Sequence, residues 1–188
     1  VIHSPKHTDI RNAITVVTVL SALFLAQTFW FASNHSLTYD ETSYLNLSIQ
    51  TVHDGRLDPN FAAMGIAPLP ALLTYIAPLA FSHADVAPSK HRWEARMDAP
   101  QLIRQPRFLN SILIGVPLVV TIFWWLWRRQ GLSAATLGGG LAALSPTLIA
   151  HGAIATTDAA LALFGTLAMA TIAWSANTPG IGRLMVCA

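Results

Sequence analysis

The chain alternates long apolar runs with short polar breaks, a pattern that predicts helices rather than strands. Ala13–Ser33 is a first apolar run, closed by Phe29, Trp30 and Phe31, bulky aromatics of the kind that gather at a membrane interface. Phe108–Trp127, Leu132–Ala150 and Thr157–Ser175 are three further runs close to the ~20 residues needed to cross a bilayer. Between the first two lies a mixed loop, 34–106. Within it, Leu45, Ile49 and Val52 recur at helical spacing, which predicts an amphipathic helix over Asp40–His53 lying on the membrane surface. Thr38 and Glu41 fit a capping box at its start, and Gly55 fits its stop. Residues 66–81 are apolar but short for a span and carry Pro68, Pro70 and Pro78, which break regular hydrogen bonding. They predict a second juxtamembrane helix. The expected fold is therefore all-α: a polytopic membrane bundle of about four transmembrane helices (13–33, 108–127, 132–150, 157–175), with two juxtamembrane helices in the first external loop.

Composition sharpens this picture. The chain is 53% hydrophobic and only 11% charged, against about 25% charged in a typical soluble domain. Its mean hydropathy is +0.49. The formal net charge of +2, without interleaved basic and aromatic residues, gives no nucleic-acid signal. The first run is too long for the 7–15-residue apolar core of a secretory signal and reads as a retained anchor. Cys187 is the single cysteine, which excludes an intrachain disulfide and a cysteine-based metal site. A start on Val and a stop at Ala188 lead us to expect a fragment of a longer protein.

Topology decides whether the acids can meet. If 66–81 does not cross, Asp40, Glu41 and Asp158 share one side and Arg128-Arg129 faces the other. If it does cross, Asp158 falls opposite Asp40. The Lys and Arg count favours the five-crossing arrangement, but its excess lies in a loop longer than ~60 residues, where the positive-inside rule weakens. The tight Arg128-Arg129 turn favours four.

The candidate chemistry lies in the acids. Helix-end electrostatics alone, worth about 0.3–1 kcal/mol, explain acids in the first turn of a helix and apply to all three. The functional alternative is glycosyl transfer from a lipid-phosphate sugar. That reaction needs a base to take the acceptor's proton and cations near the leaving phosphate. A carboxylate at a low-dielectric boundary suits the base, and Arg56 and Arg107 are available for the phosphate. Gly138-Gly139-Gly140 reads as close helix packing, since no Lys and Ser/Thr follow as a P-loop requires.

Taken in order, four motifs resemble a known family. They are Asp40-Glu41-Thr42-Ser43-Tyr44 after the first span, Ala67-Pro68-Leu69, Arg107-Phe108-Leu109-Asn110 with Arg128-Arg129, and Ser145-Pro146 followed by His151-Gly152 and Thr156-Thr157-Asp158-Ala159. Together they are similar to the N-terminal part of GT-C membrane glycosyltransferases, of the protein O-mannosyltransferase and polyprenyl-phosphate sugar transferase superfamily. The resemblance covers roughly residues 13–175. It implies four crossings and a multi-pass protein of the cell (inner or plasma) membrane, with both acid motifs in one extracytoplasmic cavity. It implies transfer of a sugar from a polyprenyl- or dolichyl-phosphate donor to a protein, lipid or glycan, with Asp40 as catalytic base and Glu41 and Asp158 in support. Tyr44, Arg56, Arg107, His151 and Thr157 are the expected substrate-binding residues. No cofactor follows with certainty: the carboxylates leave room for a divalent cation, but no ligand set is complete. The expected partners are the lipid-linked donor, membrane lipid and the further helices of a longer protein. Ile66-Ala67-Pro68 departs from the family, which carries a polar residue and a Pro-Pro pair there. The alternatives are a non-catalytic membrane protein that packs with other helices, or a transporter, the latter disfavoured because the spans are nearly free of charge.

Overall fold

The computed structural model describes residues 7–82 and 101–177. Among the described residues all regular structure is helical: α1 His7–Asn34, α2 Tyr39–Asp54, α3 Asn60–Ala63, α4 Pro68–Ala71, α5 Ala77–Ser82, α6 Gln101–Asn110, α7 Val116–Gln130, α8 Leu132–Ala143, α9 Pro146–Ala153 and α10 Asp158–Asn177. Two π-helical turns, Leu72–Ile76 and Ser111–Gly115, join α4 to α5 and α6 to α7. Three helices are long and apolar enough to cross a membrane, and a fourth span results if α8 and α9 are counted as one bent crossing. This is the helical membrane bundle that the apolar runs predict.

The boundaries differ from the sequence reading in four places. The first helix begins at His7 rather than near residue 13. The second span takes in Leu102–Gln130, and α6 begins at Gln101, so the expected loop 34–106 loses its last six residues to a helix that continues through Pro106. The third is not straight: α8 and α9 meet at 59°. There Ser145 is extended and its side chain accepts from Leu148 N–H, while Pro146 has no N–H with which to continue α8. Finally, His151–Ala153 belongs to α9, which shortens the expected loop 151–156.

Both π turns end two residues before a proline, Pro78 and Pro117. A proline ring clashes with the carbonyl four residues back and cannot donate to it. Widening the preceding turn relieves that clash.

Residues 68–80 are too short to span and instead cover α2. As a result α2 is buried on more than the single face its periodicity predicts. Tyr44, Leu47, Ser48 and Thr51 are buried along with Leu45 and Ile49, and Phe61, Tyr75, Ile76 and Leu79 complete that core. Gly55 closes α2 in the left-handed region at φ 63°, as expected of a glycine stop.

The spans pack on small residues. The buried Phe24 ring of α1 sits against two glycines, and a Cβ on either Gly115 or Gly152 would lie 2.7 Å from it. A Cβ on Gly139 would come within 3.0 Å of Phe123 and 3.1 Å of Leu20, which makes this part of the glycine run a packing surface. Trp127 is part of the core, packed with Ala13, Phe123 and Ala135. Inside this apolar layer Gln27 donates to the Ala143 carbonyl at 3.1 Å, where α8 stops. Cys187 lies outside the described residues.

Candidate functional site

The site is built around a buried ion pair. Glu41 and Arg107, 66 residues apart, meet with side chains 1% and 3% exposed. Arg107 Nε donates to Glu41 Oε1 at 2.7 Å and Nη2 to Oε2 at 2.6 Å, the paired geometry that suits a guanidinium to a carboxylate. Nη1 donates to the carbonyls of Ala32 and His35 at 3.0 and 2.8 Å, and Nη2 to that of Ser36 at 2.9 Å. All five N–H donors of the guanidinium are thereby used, three of them on carbonyls at and just past the C-terminal end of α1.

Glu41 is equally committed. Its Oε2 accepts from Thr38 N–H and Oγ1–H at 3.0 and 3.1 Å, the glutamate half of the predicted capping box. Its Oε1 accepts from Ala155 N–H at 3.3 Å. Burial works to raise the Glu41 pKa; the hydrogen bonds and charge of Arg107, with the Thr38 and Ala155 N–H groups, overcome it and leave the carboxyl below its ordinary value. The sequence reading expects Glu41 to support catalysis and Arg107 to bind substrate; in the structure every N–H of Arg107 and both carboxylate oxygens of Glu41 are engaged within the protein.

Around this pair, residues 154–157 are fixed from several elements. Tyr75 O–H donates to Ala155 C=O at 3.1 Å. Burial pushes that hydroxyl well above the ordinary tyrosine value, and the nearby Glu41 carboxylate adds to the rise. Asn110 Nδ2 donates to the carbonyls of His151, Gly152 and Ile154 at 3.1, 3.0 and 2.9 Å, and Ser111 Oγ donates to Gly152 C=O at 3.0 Å. The last carbonyls of α9, which a helix leaves unpaired, are met by side chains from the α6 region. Tyr75 and Ser111 escaped the sequence reading, and Asn110 entered it only within the motif Arg107-Phe108-Leu109-Asn110, without a role. The polar Asn110-Ser111 pair inside an apolar run was the signal that could have marked the latter two.

The acid motifs meet through α2. Tyr44 is buried, and its hydroxyl lies 2.9 Å from Thr157 Oγ1. Asp40 stands one turn earlier on the same face, since residues four apart on a helix are neighbours. Asp158 follows Thr157 directly and opens α10. Thr156 Oγ1–H donates to Asp158 Oδ2 at 3.0 Å, and His151 Nδ1 lies 3.4 Å from the same oxygen, with the His and Asp side chains 44% and 58% exposed. Asp40 is exposed and has no hydrogen-bond partner among the described residues.

Asp40, Tyr44, His151, Thr157 and Asp158 are thus brought to one end of the bundle. Arg56 is not: it follows α2 at the opposite end from Asp40, about 20 Å away at 1.5 Å per residue. Arg104, not singled out from sequence, is exposed with its guanidinium 5.9 Å from the centre of the Phe108 ring. Among the described residues, no group of three or more His, Cys, Asp or Glu is placed to hold a metal ion. No protein-family model, curated protein or solved structure matches the chain.

Proposed function

We propose that this chain is the N-terminal part of an integral membrane glycosyltransferase that moves a sugar from a polyprenyl-phosphate donor to an acceptor hydroxyl. The observation that carries this reading is the junction of α2 with residues 154–157, where Tyr44, one turn after Asp40, meets Thr157, the neighbour of Asp158. In the proposed step the acceptor oxygen bonds to the anomeric carbon as the bond from that carbon to the phosphate oxygen breaks. Its electron pair leaves on the lipid phosphate, and Asp40 takes the acceptor's proton. An unpartnered, exposed carboxylate suits that role better than Glu41, whose lone pairs are committed. The membrane concerned, the face that carries the site and the contribution of further helices belong to the same proposal.

The test is Asp40→Asn in the complete gene product, assayed in membrane vesicles for transfer of labelled hexose from polyprenyl phosphate. Turnover should fall about 10²–10⁴-fold, the usual contribution of a general base, with helicity and expression retained. Undiminished turnover would remove Asp40 from the chemistry. A second reading, a non-catalytic helical subunit, draws on the outer flank of α10, where Leu161 is 75% and Met169 64% exposed. It predicts no transfer in the complete product under any condition.

A further inference from the structure

A leaving phosphate needs a donor, and the arginines first expected to supply one do not. Arg107 has no N–H left, and Arg56 is at the wrong end of α2. His151 is a donor at the end of the bundle that carries Asp158. It lies in the last turn of α9, beside the loop that α2 touches, with its ring nearly half exposed. Its Nδ1 is turned toward Asp158 Oδ2 at 3.4 Å. That same oxygen is held by the Thr156 hydroxyl, and Thr157 between them is held by Tyr44. Nε2 has no hydrogen-bond partner among the described residues. A carboxylate at ion-pair distance from one ring nitrogen leaves the other nitrogen to meet a ligand. When both nitrogens carry protons, one N–H serves Asp158 and the other is presented to a ligand.

We propose that His151 is the group that contacts a phosphate ester at this end of the bundle, and that Asp158 acts through it as a positioning residue. The inference rests on the glycosyltransferase reading for its choice of phosphate, but it is testable by binding alone. It assigns the exposed carboxylate of Asp158 to the histidine rather than to the acceptor, and it gives Thr156 the task of holding that carboxylate.

The experiment uses the full chain in lipid nanodiscs with farnesyl phosphate, farnesol and inorganic phosphate as probes. His151→Gln should weaken farnesyl phosphate binding about tenfold, the scale of one charge-assisted hydrogen bond, and leave farnesol unchanged. Asp158→Asn should weaken it less, and should add nothing in the His151→Gln background, since residues acting as one unit are non-additive. In the wild-type chain the His151 imidazole ¹⁵N resonances should move on addition of farnesyl phosphate, a readout that needs no variant to fold. Inorganic phosphate producing the same shift would assign the site to free phosphate rather than a lipid headgroup. Unchanged affinity in His151→Gln, additive effects of the two substitutions, or loss on Arg104→Gln alone would overturn the proposal. Binding that depends on His151 in a protein without transfer activity would uphold it and remove the glycosyltransferase reading. Transfer that needs Asp40, with phosphate binding indifferent to His151, would do the reverse.

Discussion

At the scale of single residues, the Glu41–Arg107 pair governs how this end of the bundle responds to acid. The folded pKa of Glu41 lies below its unfolded value. The stabilisation is therefore fully present above the unfolded value, about 4.3, and is lost as pH falls below that through the folded value. Glu41→Gln leaves a buried guanidinium without its counter-charge and should cost about 3–5 kcal/mol at neutral pH. Chemical unfolding in detergent at pH 7 and pH 3.5 should show this gap between wild type and variant shrinking in acid; a gap of constant size would mean that folding does not lower the Glu41 pKa, and a gap that grows in acid would mean that Glu41 is neutral in the folded protein. Tyr75→Phe removes one donor from Ala155 C=O and should cost about 1 kcal/mol, read in the same unfolding series. The two substitutions should be non-additive, because both act on Ala155.

At the scale of elements, close approach and interruption shape the bundle. Phe24 seals the crossing of α1 with Gly115 and Gly152, and its ring is fully buried, so it has no room to retreat. Gly152→Ala should destabilise by about 1–3 kcal/mol, the range for overpacking a tight core. Adding Phe24→Leu should recover part of the loss in thermal unfolding. No recovery would show that Gly152 serves backbone conformation rather than space. The apolar runs made the spans legible because a 20-residue stretch without charge has few other readings. The α2 start and stop were legible because capping is local chemistry between Thr38 and Glu41. The π turns were not: Pro78 and Pro117 mark where a helix must yield, but not whether it breaks, bends or widens. Nor was the bend at Ser145, where a Ser-Pro pair inside an apolar run passed for a continuous helix.

At the scale of the whole molecule, the acid end is assembled from pieces distant in sequence. Glu41 touches Arg107 and Ala155, 66 and 114 residues away, and local pattern carries no information about such pairings. Asp40 and Asp158 were legible as isolated acids in an apolar chain, whereas the commitment of Glu41 and Arg107 to each other needed the fold. The shared end of the bundle also predicts a topology. In a Cys187→Ser background, single cysteines replacing the exposed Tyr39, Asp158 and Gln130 should react with a membrane-impermeant thiol reagent in intact cells in a set pattern. The first two should behave alike and the third oppositely. Tyr39 and Asp158 labelling from opposite sides would separate the two acid motifs by a bilayer and remove the proposed site.

The hydrogen bond from Gln27 to Ala143 ties two distant positions into one heritable choice. Gln27 Nε2 donates both to the Leu23 carbonyl of its own helix and to the Ala143 carbonyl, each at 3.1 Å, and the second is open because α8 stops before Pro146. A continuous helix would pair that carbonyl with a backbone N–H and leave Gln27 only the acceptor in its own helix, one amide N–H short in an apolar layer where an unmet polar group is expensive. In any descendant of this chain the two residues should therefore be gained and lost together: replacing Pro146 should permit a leucine at position 27, and keeping it should select against one. A lone glutamine in an otherwise apolar first span would then report, from sequence alone, that another span more than 100 residues away is broken.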